Sequence, residues 1–107
     1  MLYNNKTIWK FRLRDGHQAE TILNLPLNSK LLHVDWQNRS LYAWFEIERE
    51  QEQKEERKFY SMHTGGDFND RCLQFIQTVL CTETYVLHIY EFDRKKINFL
   101  TDNDMRL

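Results

Sequence analysis

The sequence predicts a mainly β, single-domain antiparallel fold, sandwich- or barrel-like, with about six to seven strands; three segments carry that prediction. Lys6–Leu13, Leu31–Gln37 and Thr84–Phe92 alternate apolar with polar positions and contain neither glycine nor proline. Period two is the mark of a strand with one face buried. The chain has 107 residues, enough for one hydrophobic core and too few for two. Its 15 aromatic residues (three Trp, five Tyr, seven Phe) supply a large buriable area. Only three glycines and one proline are present, so turns fall mainly to Asn, Asp and Ser.

The elements follow in order. Trp9, Phe11 and Leu13 fall on one side of the first strand, with Lys10 and Arg12 on the other. Asp15-Gly16 is a hairpin signal, because glycine tolerates positive φ. The return strand puts Ala19, Thr21, Leu23 and Leu25 on one face and stops at Pro26. In the next strand, Leu32, Val34 and Trp36 face one way and Leu31, His33 and Asp35 the other. Asn38-Arg39-Ser40 reads as a tight turn. Leu41, Ala43, Phe45 and Ile47 then form an inward row, and Tyr42, Trp44, Glu46 and Glu48 an outward one.

Residues 49–57 are all charged or Gln, which reads as a solvated hairpin tip. Lys58–His63 is a short strand ended by Thr64-Gly65-Gly66-Asp67. Phe68, Cys72, Phe75, Ile76, Val79 and Leu80 fit helical spacing, yet the β-branched Ile76, Thr78 and Val79 favour a strand. The expectation is a turn of helix over Phe68–Arg71, within the 68–80 window, and then a strand at Gln74–Cys81 with Phe75, Val79 and Cys81 on one side. Residues 93–107 form a C-terminal extension of mixed character.

Composition narrows the function classes. Fifteen basic and 16 acidic residues leave a net charge of −1, without the cationic excess a general nucleic-acid binder sets against phosphate. No apolar run approaches the length of a membrane span, so no membrane partner is expected. Cys72 and Cys81 are nine apart and point to opposite faces of a continuous strand, which implies free thiols and a reducing, cytoplasmic setting. His33, His63 and His88 lie on different strands without a close ligand pair, so neither a metal nor a cofactor is expected. The serines lack a nucleophile-elbow frame, and the glutamates of the charged run have no fixed separation, so the chain reads as a non-enzyme.

Two groups of residues are candidate binding sites. The first combines the outward aromatics Tyr42 and Trp44 with the acidic row and run Glu46, Glu48, Glu50, Glu52, Glu55 and Glu56. From Glu46 to Arg57 the net charge is −3, which suits a basic partner surface. The second is a small-ligand set of Trp36, Arg39 and the turn His63, Thr64, Gly65 and Gly66, whose Gly-Gly backbone can form a nest for an anion.

The order of several short motifs resembles a small domain family of unknown function that is widespread in bacteriophages and prophages. These are Thr7-Ile8-Trp9-Lys10-Phe11, Leu31-Leu32-His33-Val34-Asp35-Trp36-Gln37, Trp44, Thr64-Gly65, Ile76-Gln77-Thr78-Val79 and Val86-Leu87-His88-Ile89-Tyr90-Glu91, spanning about residues 6–92. The family's Gly-Thr-Gly-His loop corresponds to His63-Thr64-Gly65-Gly66 here, and the tail from Asp93 extends past the pattern. The resemblance implies a compact antiparallel β fold, a phage or mobile-element origin and action in the bacterial host cytoplasm, and it brings no catalytic residues. Three roles are then expected. In the first, the protein binds and blocks a host defence protein such as a CRISPR effector, the acidic run imitating nucleic acid. In the second, a homo-oligomer sequesters a signalling nucleotide through Trp44 or Trp36 with Arg39 or the Gly65-Gly66 loop. The third is a structural or assembly accessory role.

Overall fold

The computed structural model describes residues 5–69 and 72–93, which form seven strands: β1 (Lys6–Leu13), β2 (Ala19–Pro26), β3 (Lys30–Gln37), β4 (Ser40–Glu48), β5 (Lys54–His63), β6 (Leu73–Leu80) and β7 (Val86–Phe92). They make two antiparallel sheets, a three-stranded one in the order β1-β4-β3 and a four-stranded one in the order β2-β5-β7-β6. The expected single-domain β fold is therefore a two-sheet sandwich. Among the described residues there is no helix, and so none long and apolar enough to cross a membrane. The tail beyond Asp93 lies outside the described residues.

One core is shared by both sheets. β4 shows the cause most plainly: Leu41, Ala43, Phe45 and Ile47 are fully buried, while the residues between them are half-buried on the opposite face. Facing them from the second sheet are Phe59, Val79, Leu87 and Ile89, with Leu25 from β2. Phe45 meets Phe59 edge-on across the core at 5.8 Å between ring centres, and Phe11 meets Phe45 at the same distance. T-shaped contacts of this kind add to the area term because ring edges and faces carry opposite partial charge.

Several sequence expectations are corrected. The Asp15-Gly16 turn does not close a hairpin, because β1 pairs with β4 and β2 with β5. Arg14–Gln18 is an arch between the sheets, pinned by the Ser61 hydroxyl, which donates to the carbonyl of Gly16 at 2.6 Å. The β4–β5 connection is likewise an arch, and it is shorter than the charged run: β5 begins at Lys54, leaving residues 49–53 as the link. In β3 a bulge between Leu31 and His33 turns Leu31 onto the core and leaves Leu32 exposed, the reverse of the expected phase. A second bulge, between Phe75 and Gln77, brings Ile76 to the core and leaves Phe75 exposed, off the side of Val79.

Phe68 and Asn69 are not helical, and Asp70 and Arg71 lie outside the described residues. The chain from Thr64 to Cys72 joins the parallel strands β5 and β6 across β7, and Phe68 sits on Tyr90 with ring centres 5.2 Å apart. The tight turn expected over Asn38–Ser40 is a two-residue hairpin turn, Asn38 and Arg39 both having positive φ (51° and 62°), while Ser40 already belongs to β4 opposite Gln37. Cys72 and Cys81 are free thiols, as expected; burial and the nearby Asp15 and Asp35 push the Cys81 thiol upward.

The two sheets are also joined at one side by a polar clamp. Gln77 on β6 accepts the Val34 N–H at 3.0 Å through Oε1 and donates to the Val34 carbonyl at 2.6 Å through Nε2. Its side-chain amide thus stands where the peptide group of a neighbouring strand would be. The bulge at Phe75/Gln77 is what aims it there.

Candidate functional site

The outer face of the three-stranded sheet is built by register. Lys10, Trp44 and His33 lie in one row across β1, β4 and β3, and Arg12, Tyr42 and Asp35 lie in the next. Tyr42 and Trp44 are neighbours on β4, with ring centres 6.3 Å apart. Lys10 Nζ stands 4.5 Å from the Tyr42 ring centre and 5.9 Å from that of Trp44, and donates to Gln37 Oε1 at 3.0 Å. A cation over two ring faces is attracted by their quadrupoles. On the other flank the His33 ring lies 6.0 Å from Trp44, and its Nε2 is 3.3 Å from Asp35 Oδ2. Lys6 and Glu46 pair at 3.0 Å, which holds the Lys6 ammonium above and the Glu46 carboxyl below their ordinary ranges. Both are solvent-exposed, so this pair contributes little to stability. The result is an aromatic centre with charges of both signs around it.

Four of the eight predicted partner residues share this face: Tyr42, Trp44, Glu46 and Glu48. The others leave it. Glu50 and Glu52 lie on the arch; Glu56 pairs with Asn24 on the outer side of the second sheet; Glu55, opposite the buried Leu25, has the inward phase of Arg57 and Phe59. The acidic run therefore wraps around one end of the sandwich instead of forming a single row. Lys10, Arg12 and His33 on this face lie outside both sequence-predicted sets, although their outward phase on β1 and β3 is a usable signal.

The small-ligand set gathers at the opposite end, where the β1–β2 arch, the β3–β4 turn and the β6–β7 turn meet. Trp36 meets Tyr85 edge-on at 5.5 Å, and Tyr85 meets His63 at 5.7 Å. The Tyr85 hydroxyl donates to Asp15 at 2.9 Å; burial first and this bond second push its ionisation up to about 12. Arg39 is in the β3–β4 turn at the same end, whereas Trp44 is out on the sheet face. The histidines are largely occupied. His88 sits between the hydroxyls of Thr64 and Thr78 at 2.8 and 2.9 Å. His17 accepts the His63 N–H through Nδ1 at 3.1 Å, and its Nε2 lies 2.8 Å from the Asp67 carbonyl, which places the proton on Nε2. His63 Nε2 is enclosed and has no hydrogen-bond partner among the described residues. Among those residues no group of three or more His, Cys, Asp or Glu is placed to hold a metal ion.

The Gly65-Gly66 turn has a local structural explanation. The Gly66 N–H donates to the His63 carbonyl at 3.1 Å and so closes the turn. A Cβ on Gly66 would lie 2.4 Å from His17 Cε1 and 2.7 Å from both ring nitrogens. His17 is held at both nitrogens, so the ring yields only by giving up those bonds. Gly66→Ala is expected to lower stability by about 2 kcal/mol, as overpacking does. Urea unfolding reads it; a change inside about 0.5 kcal/mol, the range of an unconstrained surface change, would mean that His17 swings away freely.

At the other end an open cleft of about 460 Å3 is lined by Glu55, Glu56, Arg57, Lys58, Gln74, Glu91, Phe92 and Asp93. Arg57 and Glu91 within it are mostly buried and form a two-pronged ion pair, Nε to Oε2 at 2.6 Å and Nη2 to Oε1 at 2.9 Å. Arg57 also donates to the Ser29 carbonyl, and its guanidinium lies over the rings of Phe45 and Phe59. These polar groups are satisfied by one another, which makes the pair a structural element.

Comparison with curated proteins and with solved structures finds no match. A protein-family model matches residues 4–98, nearly the whole chain, and the protein accordingly belongs to the family described as a domain of unknown function, DUF7352.

Proposed function

We propose that this domain is a non-enzymatic binding module that docks a protein partner on the outer face of its three-stranded sheet. The observation that carries the reading is the Tyr42–Trp44 pair under Lys10, at the centre of a face over which no described element packs. An aromatic centre with a polar, charged rim is the anatomy of a protein-binding hot spot. Glu46 and Glu48 continue that rim towards Glu50 and Glu52 on the arch and suit a basic patch beside the aromatic anchor. The resemblance to phage-borne domains supplies the partner class, a bacterial defence protein such as a CRISPR effector. The site of action is then the host cytoplasm.

The nucleotide-sponge alternative draws less support. Its stacking residue Trp44 and its anion loop Gly65-Gly66 belong to separate surfaces, and the Gly66 N–H is already used in the turn. The accessory role has no site of its own to support it.

A tagged full-length chain, recovered natively from a defence-carrying bacterium and examined by mass spectrometry, tests the proposal. A stoichiometric host protein is expected with the unaltered chain. Trp44→Ala is expected to weaken its capture about 30-fold, corresponding to about 2 kcal/mol for a central aromatic anchor. A retained nucleotide without protein, or capture indifferent to Trp44→Ala in a folded variant, would overturn it.

A further inference from the structure

We infer that β1 is a docking edge for an extended, acidic strand of a partner protein. This inference rests on the protein-docking reading and names the chemistry of the docked segment. β1 pairs with β4 through all eight of its residues in unbroken register, and its other side bonds to no described strand. The other three sheet edges each carry a device that hinders strand addition. β3 and β6 are bulged and held to each other through Gln77, and β2 ends in Pro26. Neither a bulge nor a proline interrupts β1.

The edge also exposes apolar bulk on both of its faces. Ile8 is 59% exposed on the outer face, and Trp9 is 44% exposed on the inner one, edge-on to Phe11 at 6.2 Å. A flat edge with exposed large apolar residues is a template for another strand.

Charge decides which strand. Lys6, Lys10 and Arg12 all belong to the outer face of β1. Lys6 is neutralised by Glu46, whereas neither Lys10 nor Arg12 meets a carboxylate within 4 Å among the described residues. A second copy pairing antiparallel along β1 would set its outward residues against this same set, three cations and Ile8. Like charges facing each other across a pair are destabilising, so the edge selects against itself. An incoming strand that alternates acidic and apolar residues is complementary in both respects. Its carboxylates would lie beside Arg12 and within reach of Lys10 once that ammonium leaves Gln37, and its apolar side chains beside Trp9 and Phe11. Main-chain hydrogen bonds would supply affinity and the alternation specificity, as in other strand-addition sites.

The test titrates the 15N-labelled full-length chain with a capped (Val-Glu)4 peptide and, separately, with capped (Val-Lys)4, following amide hydrogen exchange. The acidic peptide is expected to slow exchange at alternate amides of residues 6–13 by about tenfold at ten times its Kd. The Lys10→Glu/Arg12→Glu double variant is expected to lose that protection and to gain it from (Val-Lys)4. Equal protection by both peptides, binding without protected β1 amides, or edge amides already protected in the free chain would each overturn the inference. The two readings fail separately. If the peptide fails while Trp44→Ala still abolishes capture of the host protein, strand addition falls and face docking stands. If the peptide protects β1 while capture ignores Trp44→Ala, the face falls instead.

Discussion

Replacing Arg57 by methionine is expected to destabilise the domain by about 3 kcal/mol, the low end of the range for breaking a buried ion pair. The Arg57 side chain is 17% exposed and so is that of Glu91. Methionine keeps much of the contact with Phe45 and Phe59 but leaves the Glu91 carboxylate without its cation and the Ser29 carbonyl without its donor. An unpaired carboxylate in this setting loses most of its hydration and receives nothing in return. Glu91→Met is expected to cost a similar amount by orphaning the guanidinium. The double replacement should cost clearly less than the two single changes together, because it removes both stranded charges at once. Urea unfolding of the four proteins measures this coupling. A single replacement that costs less than about 1 kcal/mol would mean the pair behaves as an exposed one.

Gln77→Leu is expected to cost about 3 kcal/mol, since it strands two backbone groups of the fully buried Val34 at roughly 1–3 kcal/mol for each unpaired group. Leucine is close to glutamine in size, so the loss is one of hydrogen bonds and not of packing volume. Gln77→Glu is expected to fail as well, because a carboxylate accepts from the Val34 N–H but opposes the Val34 carbonyl. The specific readout is hydrogen exchange at the Val34 amide, which should accelerate towards the rate of an open edge. Undiminished protection there would show that the N–H finds another acceptor.

These two residues also mark where sequence reading stops. In β4 the alternation of Leu41, Ala43, Phe45 and Ile47 with Tyr42, Trp44 and Glu46 is fully legible, because a half-buried strand writes its burial directly into period two. Arg57 misleads by its company. It sits in a charged run, and the partner that takes it inside, Glu91, is 34 positions away. The β3 and β6 bulges carry no residue signature, so a one-residue slip moves Leu31, Leu32 and Phe75 to the wrong faces. Asp15-Gly16 signals that the chain turns but not which sheet it enters afterwards. The helical spacing from Phe68 to Leu80 is a coincidence: Phe68 is not helical, and Phe75, Ile76, Val79 and Leu80 belong to a bulged strand. As for the site, Tyr42 and Trp44 are readable from phase. The acidic residues are not, because which side of an arch a glutamate takes depends on the strand beyond it.

The arches have a consequence for how the chain reaches this fold. β1, β3 and β4 make one sheet while β2 lies in the other, so neither sheet is a continuous stretch of sequence. The pairings that hold them are distant: Lys6 opposite Glu48, and Ala19 opposite Ser61. Only the β3–β4 and β6–β7 hairpins close locally, and each needs a strand from elsewhere to cover its apolar side. Loop-closure entropy must be overcome before most contacts form, which places this domain among the slow, milliseconds-to-seconds folders of high contact order. A cut after β4 keeps the three-stranded sheet whole, yet it uncovers the apolar face of that sheet and leaves β2 without β5, its hydrogen-bonded neighbour. A newly made chain has to wait for β7 before the Arg57 guanidinium meets Glu91, and until then its longest strand carries an unmatched charge into the forming core.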